Sequence, residues 1–290
     1  MSWRTVVISS SAKLDYQLGY LVVRKTDVVK IHLSEIYILM IESTSVSLTA
    51  TLLCELMKRK IKVIFCDEKR NPNAELISYY GSHDTSNKIK MQISWKSSTK
   101  EVVWTEIIKH KIANQKLLLM KLGLKEASLL QKYIDEITMG DLTNREGHAA
   151  KVYFNALFGK SFNRNTENSI NAALNYGYSL LLSCFNRENV ANGYFTQLAL
   201  FHDNMFNQFN LSSDLMEPFR PLVDEIVVQM NVIKFEHDEK VQMLSILQKS
   251  VFINSRKETL VNAIRIYCKS IFDALNAEDV SLIKWSANEL

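Results

Sequence analysis

The sequence predicts an α+β protein. A small β-rich domain covers residues 1–78, a linker 79–94, and a larger all-α domain 95–290. Three observations carry that expectation. Short β-branched runs recur up to about residue 78, and a stretch of mostly small polar residues follows, Tyr79 to Asn87. Beyond it, apolar residues recur at helical spacing almost to the end.

In the first part, Arg4-Thr5-Val6-Val7-Ile8 reads as a short strand closed by the turn Ser9-Ser10-Ser11. Tyr20 to Val23 and Val28 to Ile31 are two further runs, joined by Lys25-Thr26-Asp27 as a hairpin connection. Ile36 to Ile41 is apolar throughout, the pattern of a strand covered on both faces. From Ser47 to Lys60 the period turns helical, with Ser47 placed as N-cap. Lys62 to Cys66 returns to strand and is closed by turn residues Asp67 to Pro72; the basic run Lys58 to Lys62 reads as a solvated helix end. In the second part, helices are expected at 100–121, 127–137, 174–192, 222–235, 238–250 and 257–275. No internal repeat is visible.

Composition narrows the function classes. Hydrophobic residues at 47 % and charged residues at 23 % argue against disorder, and 8 Gly with 3 Pro exclude collagen-like sequence. No apolar run approaches the ~18 residues of a membrane span, and the N-terminus lacks a signal-peptide core, so a cytoplasmic protein with no membrane association is expected. Cys54, Cys66, Cys184 and Cys268 form no CxxC, which argues against a structural zinc or a disulfide framework. A net charge of +4 allows an anionic partner, but any nucleic-acid surface must be a local patch.

Three segments could carry chemistry. Thr143 to Glu146 has capping-box spacing ahead of a helix, so Glu146 is either a cap partner or a carboxylate ligand at a helix start. His148, two residues on, falls on a different helix face. Leu200 to Leu211 surrounds His202 with aromatic and short polar residues, a loop composition that suits a site. Ser213-Asp214-Leu215-Met216-Glu217-Pro218-Phe219-Arg220-Pro221 sets two acids three apart, with prolines that break continuous helix. Glu146, His202 and Glu217, with Asp214 close by, offer oxygen and imidazole donors without a thiolate. That set suits Mg²⁺ or Mn²⁺ better than zinc.

The run Asn144 to Ala150, the run Leu174 to Tyr178, Phe201-His202 and Ser213 to Pro221 together resemble the CRISPR-associated spacer-acquisition integrase family. Ser2 to Val7 and Lys62 to Asp67 resemble its type II branch. The resemblance implies an N-terminal β domain and a C-terminal helical catalytic domain. It implies a metal-dependent DNA integrase and endonuclease in which the 3′-hydroxyl of a short foreign DNA attacks a phosphodiester in a CRISPR array. By motif position Glu146, His202 and Glu217 are the catalytic metal ligands and Asp214 an auxiliary acid, the third ligand lying between Asp214 and Glu217. The implied partners are double-stranded DNA with free 3′ ends, leader-repeat DNA, a second copy of the chain as a homodimer and the small companion protein two. The type II branch adds the effector nuclease and an accessory acquisition protein. Arg145, Lys151 and Arg220 are candidate phosphate contacts beside a solvated-face reading. Tyr176 and Tyr178 are candidates for base stacking beside a core-packing reading. Two other classes fit the same residues: a non-catalytic DNA- or protein-binding scaffold whose acids are caps and ion pairs, and a plain metal-dependent nuclease.

Overall fold

The most apolar strand organises the first unit. In the computed structural model, which describes residues 4–79 and 81–287, all six residues of Ile36–Ile41 are buried. (Ser2 and Trp3 of the opening motif and Tyr80 of the expected linker lie outside the described residues.) The elements before it are β1 (Arg4–Ile8), β2 (Ala12–Gln17), β3 (Tyr20–Arg24) and β4 (Val28–His32), and Ile36–Ile41 is β5. Then come β6 (Val46–Leu48), helix α1 (Ala50–Lys58), β7 (Lys62–Cys66) and β8 (Pro72–Leu76). They form two four-stranded sheets, ordered β1-β5-β7-β8 and β4-β3-β2-β6. β5 lies between two parallel neighbours, which is why its sequence is continuously apolar rather than alternating. Leu14, Leu21, Leu39, Leu52, Leu56 and Val63 close the core, each fully buried. A leucine removed from water in this way contributes about 1.5–3 kcal/mol.

Two expectations for this unit change. Ser47 is not the cap of α1: β6 pairs in parallel with β2, which draws 46–48 into strand, and the Thr49 side chain accepts from Leu52 N instead. Lys62 is not on a solvated helix end. It is buried in β7, with Nζ 2.5 Å from Glu75.

The chain divides into two compact units between His83 and Asp84. The second unit contains α2 (Thr85–Ile93), α3 (Ser97–Lys121), α4 (Ala127–Asp135), α5 (Arg145–Phe158), α6 (Ser169–Ala191) and α7 (Asn210–Leu215). It continues with α8 (Arg220–Met230), α9 (His237–Met243), β9 (Ser250–Ile253), β10 (Arg256–Thr259), α10 (Leu260–Ala277) and β11 (Ser286–Ala287). The α+β class stands, with two amendments. Residues 85–93 of the expected linker are helix, because buried Gln92 ties α2 to a distant loop by donating to Phe195 O and Leu198 O at 2.9 and 2.8 Å. The helical part is not all-α: β10-β9-β11 is a small antiparallel sheet, so the helix expected from 257 starts only at Leu260, while the one expected over 238–250 is α-helix to Met243 and 3-10 helix over Leu244–Gln248.

The core of this unit runs along α3, α6 and α10. Trp104, Ile108 and Ile112 on α3, Leu181 and Phe185 on α6, and Tyr267 and Ile271 on α10 are all buried. Phe219 sits among them, its ring 5.4 Å from Phe185 and 5.2 Å from Tyr267. That contact anchors the turn carrying Glu217 to the buried aromatic core of this unit. Gly177 lets α6 approach α8 closely: a Cβ there would stand 2.4 Å from Val223 Cγ1 and 2.9 Å from Met243 Sδ.

Candidate active site

Glu146 is free of capping duty. Asn144, in the left-handed region at φ 51°, caps α5 by accepting from Gly147 N at 3.2 Å. The Asp141 carboxylate accepts from Arg145 N at 2.8 Å and Glu146 N at 2.9 Å. The capping box read from Thr143 to Glu146 is therefore replaced by these two side chains, and the Glu146 carboxylate points to α3. Its Oε1 lies 2.5 Å from Lys111 Nζ.

Glu217 reaches the same ammonium from the other side. It opens the short 3-10 turn Glu217–Phe219, which Asn114 of α3 holds by donating to Pro218 O at 2.7 Å. Glu217 Oε2 is 2.6 Å from Lys111 Nζ, and Oε1 is 2.9 Å from Arg220. The Arg220 guanidinium lies over the Tyr178 ring, 4.8 Å from its centroid. Burial opposes the charges of Glu217, Lys111 and Arg220, yet the pairs prevail. Arg220 and Lys111 hold the Glu217 carboxyl below its usual range, and Glu217 in turn holds both cations above theirs.

His202 is set by Asp214 of α7. The fully buried Asp214 carboxylate accepts from Leu200 N at 2.8 Å, Phe201 N at 2.9 Å and His202 N at 3.3 Å. The imidazole Nδ1–H donates to the same carboxylate. Behind the ring, Trp104 meets His202 edge-on at 5.5 Å and stacks on Phe201 at 4.6 Å. The hydrogen bond to Asp214 raises the His202 pKa against its partial burial, with Glu217 and Glu146 adding to the rise. With Nδ1 committed, Nε2 is the nitrogen left to coordinate, the usual division of labour in a carboxylate–histidine–metal arrangement.

Among the described residues, no three His, Cys, Asp or Glu side chains stand close enough to hold a metal together. The reason is visible in the partners: Glu146 and Glu217 converge on Lys111, and His202 turns its Nδ1 to Asp214. Two carboxylates on one cation, and an imidazole from a third element, are nonetheless donor types that fit Mg²⁺ or Mn²⁺. Both Asp214 oxygens are taken up by donors of the 200–202 loop and by the His202 ring, whereas the Glu217 oxygens meet only Lys111 and Arg220.

The remaining candidates separate. Arg145 pairs with Glu136 at 3.2 Å, and Arg220 is committed to Glu217, so neither presents a free guanidinium to a phosphate. Tyr176 and Tyr178 are buried, so neither offers a face to a base. Lys151 is exposed, and with Lys160 and Arg164 it lines a cavity of about 510 Å³ between α5 and the loop after it, beside Phe154 and Phe162. His148 is exposed, away from the cluster. Sequence reasoning missed Lys111 and Trp104. The available signal was Lys111 itself, a charged residue on the stripe Trp104, Ile107, Ile108, Ile112 and Leu118 that buries α3.

The family profile described as CRISPR associated protein Cas1 matches residues 5–255. The chain belongs to the Cas1 family. It is 34 % identical over 232 residues to the CRISPR-associated endonuclease Cas1 of Neisseria meningitidis serogroup C (strain 8013), covering 79 % of this chain and 76 % of that one. Among solved structures, the fold is similar to a casposase bound to integration product, with TM-score 0.76 and 15 % identity over 97 % of this chain and 92 % of that one. It is also similar to a chain of a Cas6-RT-Cas1--Cas2 complex, with TM-score 0.73 and 18 % identity. That match covers 97 % of this Cas1-family chain and only 36 % of the longer chain. Among the described residues, no helix is long and apolar enough to cross a membrane.

Proposed function

We propose that this Cas1-family protein is a metal-dependent DNA integrase and endonuclease. It inserts short DNA segments into a CRISPR array by attack of a DNA 3′-hydroxyl on a phosphodiester. One observation supports this reading above the rest: Glu146 and Glu217, from separate elements, converge on a single cation, and Asp214 fixes the orientation of the His202 imidazole. A Mg²⁺ or Mn²⁺ ion held by Glu146, His202 and Glu217 would activate the attacking hydroxyl and neutralise charge on the phosphate. The chain's own side chains do the rest. Asp214 orients His202, Trp104 backs it, and Asn114 with Phe219 fixes the turn that carries Glu217. The chain need not supply a nucleophile, because the DNA brings one.

Lys151, Lys160 and Arg164 are the proposed phosphate contacts, since the cavity they line contains no acidic residue. The proposed partners are double-stranded DNA with free 3′ ends, leader-repeat DNA, a second copy of the chain and Cas2. The solved complex that names Cas2 supports the last of these. The type II assignment, the effector nuclease and the cytoplasmic setting belong to the same proposal.

The test is strand joining of a labelled duplex into a leader-repeat target, with 3′-hydroxyl or 3′-dideoxy ends. Joining is expected only with a free 3′-hydroxyl and only with Mg²⁺ or Mn²⁺. It should be lost in Glu146→Ala and His202→Ala variants that remain folded. Full joining in either variant, or in the presence of a chelator, would overturn the proposal.

A further inference from the structure

We propose that Lys111 is a built-in counter-cation of the active site. It holds Glu146 and Glu217 together in the metal-free protein and must leave its place between them before a divalent ion can bind. The inference deepens the metal-site reading and rests on it.

The geometry is specific. Each oxygen of Glu217 has its own cation, Arg220 on Oε1 and Lys111 on Oε2, and Lys111 also takes Glu146 Oε1. Lys111 is only 8 % exposed, on the face of α3 that buries Trp104 and Ile108. A buried lysine needs this compensation, and here it comes wholly from the two carboxylates that would ligate the metal. A divalent ion bound to the same oxygens would face an ammonium within hydrogen-bond distance of each of them, and like charges that close cannot share the site.

The two cations differ in how readily they yield. Arg220 is stacked on Tyr178 and so is fixed in place. Lysine is a compact charge on a flexible four-carbon stem and can swing away while its stem stays packed. The exchange has two consequences. Metal affinity is set lower than the carboxylates alone would give, and the released ammonium becomes available to an incoming phosphodiester.

Calorimetric titration of the full chain with Mn²⁺ tests this. Lys111→Met keeps the stem and removes the charge. It is expected to bind Mn²⁺ about tenfold or more tightly than wild type, within the range that neighbours of metal ligands command. Equal or weaker binding in a folded Lys111→Met overturns the proposal.

A second measurement needs no variant. Acylation of wild-type lysines, read by mass spectrometry, should find Lys111 protected without Mn²⁺ and labelled several-fold faster with it, relative to exposed Lys132. Unchanged labelling in protein that binds Mn²⁺ overturns the proposal while leaving the metal site intact. Absence of Mn²⁺ binding in both wild type and Lys111→Met overturns the metal-site reading, and the proposal falls with it.

Discussion

Asp214 and Asp224 sit on neighbouring helices, α7 and α8, and are buried to the same degree, 0 % and 1 % exposed. Their surroundings differ. Asp214 accepts from three backbone N–H groups and from the His202 ring. Asp224 accepts from two phenols, Tyr153 at 2.8 Å and Tyr178 at 2.5 Å. Burial pushes the Asp224 carboxyl up to about 6, against the pull of those two hydroxyls. The same burial pushes both tyrosines well above their ordinary values, with Asp224 adding to it. The comparison separates two uses of a buried acid. Asp214 gathers three backbone donors and fixes the orientation of the His202 ring. Asp224 ties α5, α6 and α8 together through neutral donors and carries the cost of its own charge.

The largest effect should come from Asp214. Asp214→Ala leaves three N–H donors without their acceptor and lets the His202 ring turn. Each orphaned donor costs about 1–3 kcal/mol, and loss of the orienting carboxylate should cut strand joining by about 10–100-fold. Urea denaturation and the joining assay should therefore fall together. A variant that joins at the wild-type rate would show that the ring needs no orienting partner, and the contrast between the two acids would collapse.

Asp224 should reveal itself through pH instead. Its folded pKa is raised to about 6 from the ordinary 3.8, so between those values the folded state holds a proton that the unfolded chain has lost. Stability from this group is therefore fully present below about pH 4 and is lost as pH rises to about 6. At ~1.4 kcal/mol per pH unit, the window is worth about 3 kcal/mol. Asp224→Asn cannot ionise, yet it keeps an acceptor for a phenol. Its stability relative to wild type should rise by about that amount between pH 4 and 6 and stay level above. Urea melts of both proteins at several pH values measure it, and a flat difference would mean that the two phenols fully support the charge.

Much of this was legible in the sequence. β5 was readable because six consecutive apolar residues leave no face for water. The break at Glu217-Pro218 was readable because proline restricts the residue before it. Glu146, His202 and Glu217 were readable as donor types, but that Lys111 would join the two carboxylates was not. What the sequence concealed depends on distant partners. Whether Glu146 caps its own helix turned on Asp141 and Asn144 taking that role first. That Asp214 would gather the backbone donors of 200–202 depended on a loop that folds back over it. The strands β9 and β10 went unread between and at the edge of the expected helices 238–250 and 257–275, because what makes them strands is their pairing with each other and with β11. Local propensity yields to pairing of that kind.

The smallest predicted effect sharpens the division between the two acids from the structural side. Gly177 precedes Tyr178, and the atom closest to a Cβ added there belongs to Val223, the neighbour of Asp224. Gly177→Ala gains up to ~1 kcal/mol of helix propensity, but the 2.4 Å approach to Val223 Cγ1 must be relieved by moving α6 away from α8. Overpacking of that kind costs about 1–3 kcal/mol, so a net loss of about 1–2 kcal/mol is expected in urea denaturation. The shift falls on the Tyr178–Asp224 contact and not on Asp214, which is held from the 200–202 loop. Strand joining by the folded fraction should therefore stay within about twofold of wild type. Joining that falls as far as in Asp214→Ala would mean that the α6–α8 joint also positions the reacting groups, through the stack of Arg220 on Tyr178.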